Sequence, residues 1–200
     1  MRNQAEADLA AALLRELRGE LARTANAAGG EGGVPPPART LTIGVITPYR
    51  RQVETLRATF GALAGPDAAT RVTIETVDAF QGKEVDVAIL SCVRARAPGG
   101  GAPGVAADAA LHRSVGFVAD VRRLNVAITR ARRALWILGS AATLSASPVW
   151  AALIQDAEAR KCVVWDACAA ELFPHQFGGG RGVVVQQQQR RAYGGAAGPY

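Results

Sequence analysis

Leu41-Thr42-Ile43-Gly44-Val45-Ile46-Thr47-Pro48-Tyr49 is the stretch that decides the fold. Its apolar residues run on without the alternation of a half-exposed strand, so residues 41–46 predict a strand buried on both faces, the habit of parallel sheets. Working outward, residues 50–63 predict a helix, and residues 71–76, 85–93 and 134–138 three further strands, with an arginine-bearing helix just before the last. Towards the amino terminus, residues 6–23 are rich in alanine and leucine with charges at helical spacing, and Asn3 stands where a cap belongs. Residues 29–37, rich in glycine and proline, break that helix. Residues 149–160 predict a late amphipathic helix and residues 162–165 a short closing strand. Alternation of strand and helix points to an α/β parallel sheet flanked by helices, each crossover helix returning the chain to the same edge. Ligands gather at the carboxyl ends of such strands, which makes Thr47-Pro48-Tyr49 and Ser91 the first places to look for a site.

The chain has 200 residues, 49% of them hydrophobic, enough for one domain with a full core. Its net charge of +6 favours polyanionic partners, and the arginine pairs at 50–51, 122–123, 132–133 and 190–191 suit phosphate better than a diffuse lysine coat. Cys92, Cys162 and Cys168 show no C-x-x-C spacing, and His112 and His175 add no cluster, so no metal site is expected. No secretory-type leader opens the chain and no apolar run is long enough to span a bilayer, which predicts a soluble intracellular protein. Residues 95–113 are rich in glycine, proline and alanine and read as a mobile surface insert within a domain covering residues 1–173. Residues 174–200, with Gly178 to Gly180 and Gln186 to Gln189, hold too little apolar surface to offset ordering entropy and read as a disordered tail.

Two segments carry candidate chemistry. In Arg122-Arg123-Leu124-Asn125-Val126-Ala127-Ile128-Thr129-Arg130-Ala131-Arg132, the residues Leu124, Val126, Ile128 and Ala131 can pack inward. That leaves Arg123, Arg130 and Arg132 as fixed cations shaped for bidentate phosphate contact, although alone the segment reads by default as a basic surface helix with a solvated face. Thr76-Val77-Asp78-Ala79-Phe80-Gln81-Gly82-Lys83-Glu84 follows a strand and leads into the next apolar run. Gly82 permits a positive backbone dihedral or a close backbone approach, Gln81 and Glu84 offer acceptors for ribose hydroxyls or water, and Asp78 can hold a neighbouring basic side chain.

Ile43 to Tyr49 with Gln52, then Val77 to Asp86 with Ile89 to Ala95, then Gly116-Phe117 with Arg122 to Arg132, resemble in order motifs IV, V and VI of superfamily 1 helicases. The match is to the branch containing senataxin and the nonsense-mediated-decay helicase. Trp150 with Leu153-Ile154-Gln155-Asp156-Ala157 is similar to the senataxin-type continuation, and Asn3, Glu6 and Ala7 to the start of this domain in that family. The resemblance covers about residues 3–164.

It implies a second, C-terminal RecA-like domain, of the P-loop NTPase type without its own P-loop, forming one wall of an ATP cleft and half of a single-strand groove. By the same resemblance Arg130 is the catalytic arginine that reaches the γ-phosphate, Glu84 contacts the nucleotide ribose, and Gln52 and Gly82 join the nucleotide side. Thr47, Pro48, Tyr49, Thr76 and Val77 are the implied contacts to single-stranded RNA or DNA. ATP, with Mg2+ held mainly by an N-terminal RecA-like domain, is the implied cofactor, and the senataxin-type likeness implies residence in the nucleus. The sequence contains no G-x-x-x-x-G-K-[ST], so the chain is expected to be a fragment inactive alone; the alternative is a non-catalytic, standalone nucleic-acid-binding module. Gln4 follows Asn3 where some relatives carry a phosphate-clamping base, and the insert at 95–113 is longer than the family's usual link.

Overall fold

The structure, a computed structural model, describes residues 1–28, 40–64, 67, 69–93 and 120–164. The predicted insert, Gly116-Phe117 and the predicted tail lie outside these residues. Within them the elements run α1 (Gln4–Ala28), β1 (Leu41–Thr47), α2 (Arg50–Phe60), β2 (Thr70–Thr76), β3 (Val85–Ser91), α3 (Val121–Ile128), β4 (Ala131–Leu138), α4 (Ala141–Leu144) and α5 (Pro148–Ala159). Single 3-10 turns occupy Gly61–Ala64 and Asp78–Phe80. None of these helices is long and apolar enough to cross a membrane.

The four strands form one all-parallel sheet in the order β2-β1-β3-β4, an α/β arrangement of the RecA-like kind. Alternate residues of β1, β3 and β4 serve two cores. Ile43, Val45, Val87, Ile89 and Leu138 face the layer of α1 and α2, where Leu13, Leu14, Leu17, Leu56 and Phe60 meet them. Ile46, Ala88, Leu90, Leu135 and Ile137 face the opposite layer, with Leu124, Leu144, Trp150 and Ile154. Every residue of β3 is buried, as the continuous apolar run required.

Three expectations are corrected. The crossover from β2 to β3 passes beneath β1 in residues 77–84 with one 3-10 turn and no helix. Phe80, 1% exposed, fills the layer a helix would fill, and it lies so close to β1 that a Cβ on Gly44 would stand 2.7 Å from the Phe80 ring. The missing side chain at Gly44 is therefore what allows so short a crossover. Secondly, the arginine segment is not one helix: α3 ends at Ile128, and Arg132 and Arg133 belong to β4, which begins at residue 131. A register irregularity sets Val85 against Ala131 but Val87 against Ala134, so Arg132 and Arg133 together oppose Asp86 and both stay exposed. Thirdly, residues 162–164 form no strand; Cys162 and Val163 cover one core and Val164 the other.

Candidate functional site

Parallel strands place the candidate residues at two ends of the sheet. Thr47 and Thr76 close β1 and β2 at the carboxyl end, whereas Glu84 and Arg130 immediately precede β3 and β4 at the amino end. Six residue steps of strand separate the ends by about 20 Å.

At the amino end the turn before β3 meets the chain leaving α3. Gly82 takes a φ of 78°, the left-handed conformation its lack of a side chain allows. The Val85 amide donates to the Arg130 carbonyl at 3.0 Å, clamping the two segments together. The Arg130 guanidinium donates through Nε to the Val126 carbonyl at 2.8 Å, through Nη2 to the Thr129 hydroxyl at 2.8 Å, and through Nη1 to the Lys83 carbonyl at 3.3 Å. It thus rests on the carbonyl of the residue between Gly82 and Glu84 and on a carbonyl of the last turn of α3. All three acceptors are neutral. Its neighbours differ: Arg123 pairs with Asp78 at 3.1 Å and Asp120 at 3.7 Å, Arg132 with Glu84 at 2.9 Å, and Arg133 with the buried Asp86 at 3.6 Å. Asp86 also accepts from the Thr42 amide and hydroxyl, tying β3 to β1 just inside this end.

At the carboxyl end the Val77 amide donates to the Thr47 carbonyl at 3.1 Å, so the chain after β2 is joined to the loop after β1. Thr47 and Val77 are buried beneath that junction, while Pro48, Tyr49 and Thr76 are half-buried at its rim. Tyr49 is the N-cap of α2 and provides no side-chain cap to the first-turn amides, beside which Arg50 and Arg51 are exposed. Arg123 at the start of α3 reaches the same rim through Asp78.

Gln52 also lies at the carboxyl end and does not join Gly82, Glu84 and Arg130. It is fully buried, and its amide embraces the backbone of Asn3, accepting from the Asn3 N–H at 2.7 Å and donating to the Asn3 carbonyl at 2.9 Å. Its Nε2 also donates to the Ser91 hydroxyl at 3.2 Å. Ser91 in turn donates to Glu6 Oε2 at 2.6 Å, and the same carboxylate oxygen accepts from the Val93 amide at 2.9 Å. Asn3 caps α1 by accepting from the Glu6 amide at 3.2 Å and returns a bond to Glu6 Oε1 at 3.1 Å. In the usual capping box the acid at the third helical position takes the cap residue's own N–H. Here Gln52 takes it, freeing the Glu6 carboxylate to reach β3. Burial pushes that carboxyl up from 4.5 to about 7, against the opposing pull of Ser91, Val93 and Asn3. Burial, with the Glu6 charge adding to it, also raises the Cys92 thiol. The role of Glu6 was legible only as an N-x-x-E spacing.

A family model described as an AAA domain matches residues 1–142. The chain is 38% identical over 132 residues to helicase SEN1 of Saccharomyces cerevisiae, 66% of this chain and 5% of that protein. It is 43% identical over 118 residues to the probable helicase MAGATAMA 3 of Arabidopsis thaliana, covering 59% and 13%. It is 38% identical over 122 residues to the probable helicase senataxin of Homo sapiens, covering 61% and 4%. The matched part therefore spans between 4% and 13% of the length of these relatives.

Proposed function

The chain belongs to the AAA domain family, in the form found as the C-terminal region of helicases, and from that premise we propose that it is the second motor domain of an ATP-dependent RNA or DNA helicase, with Arg130 as its catalytic arginine. The observation that carries this reading is the state of one side chain. Of Arg123, Arg130, Arg132 and Arg133, Arg130 alone has a guanidinium held, among the described residues, by neutral acceptors only. Its charge is positioned but not neutralised, which suits an anion arriving from outside the domain.

When ATP is hydrolysed, a water attacks the γ-phosphorus, the bond to the ADP oxygen breaks, and negative charge spreads over the transferred group. A fixed guanidinium aimed there is worth roughly a thousandfold or more in rate. ATP and its Mg2+ are held mainly by a partner RecA-like domain that carries the phosphate-binding loop. Glu84, half-exposed and shared with Arg132, supplies an acceptor for the ribose. Such an exposed ion pair is worth no more than about 1 kcal/mol, so Glu84 can take a hydroxyl without a large penalty. Gly82 keeps the turn in the conformation that presents both Glu84 and the Lys83 carbonyl beneath Arg130. Single-stranded nucleic acid lies across the opposite end of the sheet on Pro48, Tyr49 and Thr76, with Arg50 and Arg51 beside the open first turn of α2. Thr47 and Val77 support this surface from beneath, and Gln52 belongs to its framework rather than to the nucleotide. Closure of the two domains on ATP and their release after hydrolysis then move the groove along the strand.

The test is Arg130→Ala in the complete protein. Strand-stimulated ATP hydrolysis is expected to fall about a thousandfold while strand affinity stays within a few-fold; unchanged turnover would remove Arg130 from the site. The sequence lacks G-x-x-x-x-G-K-[ST], which favours a second reading, a strand-binding module without hydrolysis. The two readings separate on this chain alone: the motor reading expects weak strand binding, the module reading tight binding that weakens steeply with salt.

A further inference from the structure

We infer that Glu6 is a positioning residue, whose carboxylate fixes the strand-contact loop 47–49 to the end of β3 through a hydrogen-bonded relay of the buried Ser91 and Gln52 and the half-buried Asn3. The relay is continuous. Glu6 Oε2 takes the Ser91 hydroxyl at 2.6 Å and the Val93 amide at 2.9 Å; the Ser91 oxygen accepts Gln52 Nε2 at 3.2 Å; and the Gln52 amide grips both backbone polar groups of Asn3. Asn3 closes the circuit back to Glu6, and its Nδ2 also donates to the Val93 carbonyl at 3.3 Å. Three elements are thereby tied at one point: the start of α1, the first turn of α2, and the exit of β3.

Gln52 lies in the first turn of α2, and its backbone N–H donates to the Tyr49 carbonyl at 2.9 Å. Any shift of Gln52 is therefore a shift of Tyr49. At the other arm, Val93 holds a φ of 70°, a left-handed conformation costly for a β-branched residue. The bond from its N–H to Glu6 and that from Asn3 to its carbonyl hold it there. A solvated helix charge would need none of these partners, and Glu6 is 1% exposed. Among the described residues the titratable group facing the carboxylate is the buried Cys92 thiol. Ser91, Asn3 and Gln52 are neutral in both states.

The relay stands on these contacts; its consequence for strand affinity rests on the strand-contact reading above. Hydrogen–deuterium exchange on the 200-residue chain tests it without nucleic acid. Glu6→Ala is expected to speed exchange about tenfold or more at Val93 and through residues 49–53 together, with Val85 and Thr129 at the far end unchanged. Glu6→Gln keeps the acceptor and is expected to restore wild-type rates. If Glu6→Ala does not fold, Ser91→Ala, which cuts the relay at its centre, is expected to give the same pattern. Faster exchange confined to α1 and Val93, with residues 49–53 at wild-type rates, would overturn the inference. In parallel, affinity for a single-stranded oligonucleotide should fall in Glu6→Ala and recover in Glu6→Gln. A wild-type chain that bound no strand would refute the strand-contact reading while the exchange result still decided the relay.

Discussion

Replacing Gly44 by alanine tests how the short crossover is built. An ideal Cβ at residue 44 stands 2.7 Å from Phe80 Cζ, 2.9 Å from Phe80 Cε1 and 3.1 Å from Val85 Cγ2. Carbon atoms in contact prefer about 3.5–4.0 Å, so the ring must retreat by roughly 1 Å. It has little room, being 1% exposed and fixed in a 3-10 turn between Val77 and Lys83. Overpacking of this kind costs about 1–3 kcal/mol. Alanine in a strand recovers up to about 1 kcal/mol through the less flexible unfolded chain. The net expectation is a loss of about 1–2 kcal/mol, read as a fall of about half a molar in the urea midpoint with unchanged slope. The cause is separable from any other effect at the position by a double-mutant cycle. Phe80→Leu removes the ring atoms the new methyl would meet, so the pair should lose at least about 0.5 kcal/mol less than the sum of the single losses. If Gly44→Ala is as stable as the wild type, or if the two changes simply add, the steric account of the crossover is wrong.

The buried Glu6 carboxyl gives stability a pH signature. Its folded value of about 7 lies above its ordinary value of 4.5, so the folded state holds the proton more tightly. Its contribution is complete below about pH 4.5 and is lost as the pH rises to about 7, a change of about 3 kcal/mol. Glu6→Gln should therefore lack this slope and exceed the wild type in stability above pH 7; parallel urea midpoints from pH 5 to 8 for the two proteins would contradict it. Glu84→Ala in the complete protein should weaken binding of a fluorescent ATP analogue several-fold, and an unchanged dissociation constant would take Glu84 out of the nucleotide site.

The sheet was legible because Leu41 to Thr47 and Val85 to Ser91 are apolar on both faces, a pattern a half-exposed strand does not show. Asn3 was legible as a cap for the same local reason: its side chain accepts the Glu6 amide. What escaped the sequence depended on distant partners. Arg132 reads as part of a basic helix because the irregularity that turns it and Arg133 outward exists only against Asp86 of another strand. The helix-free crossover was hidden in a single glycine whose meaning is supplied by Phe80, 36 positions away. Val163 and Val164 have strand propensity but cover the two cores individually, and propensity alone does not distinguish these outcomes. At the site, the motifs put Arg130, Gly82 and Glu84 on one list with Gln52. The fold brings the first three together and encloses the fourth near Asn3, because β1 and β3 run their full length between them.

Among the described residues the charge of Arg130 is not paired with an acid, and single-turnover ATP cleavage in the complete protein tests its role most directly. Arg130→Ala and Arg132→Ala are to be compared at saturating ATP and saturating strand. The expected loss is about a thousandfold for Arg130→Ala and less than about tenfold for Arg132→Ala, whose guanidinium is directed at Glu84. Equal losses in the two variants, or a cleavage rate untouched by Arg130→Ala, would contradict it.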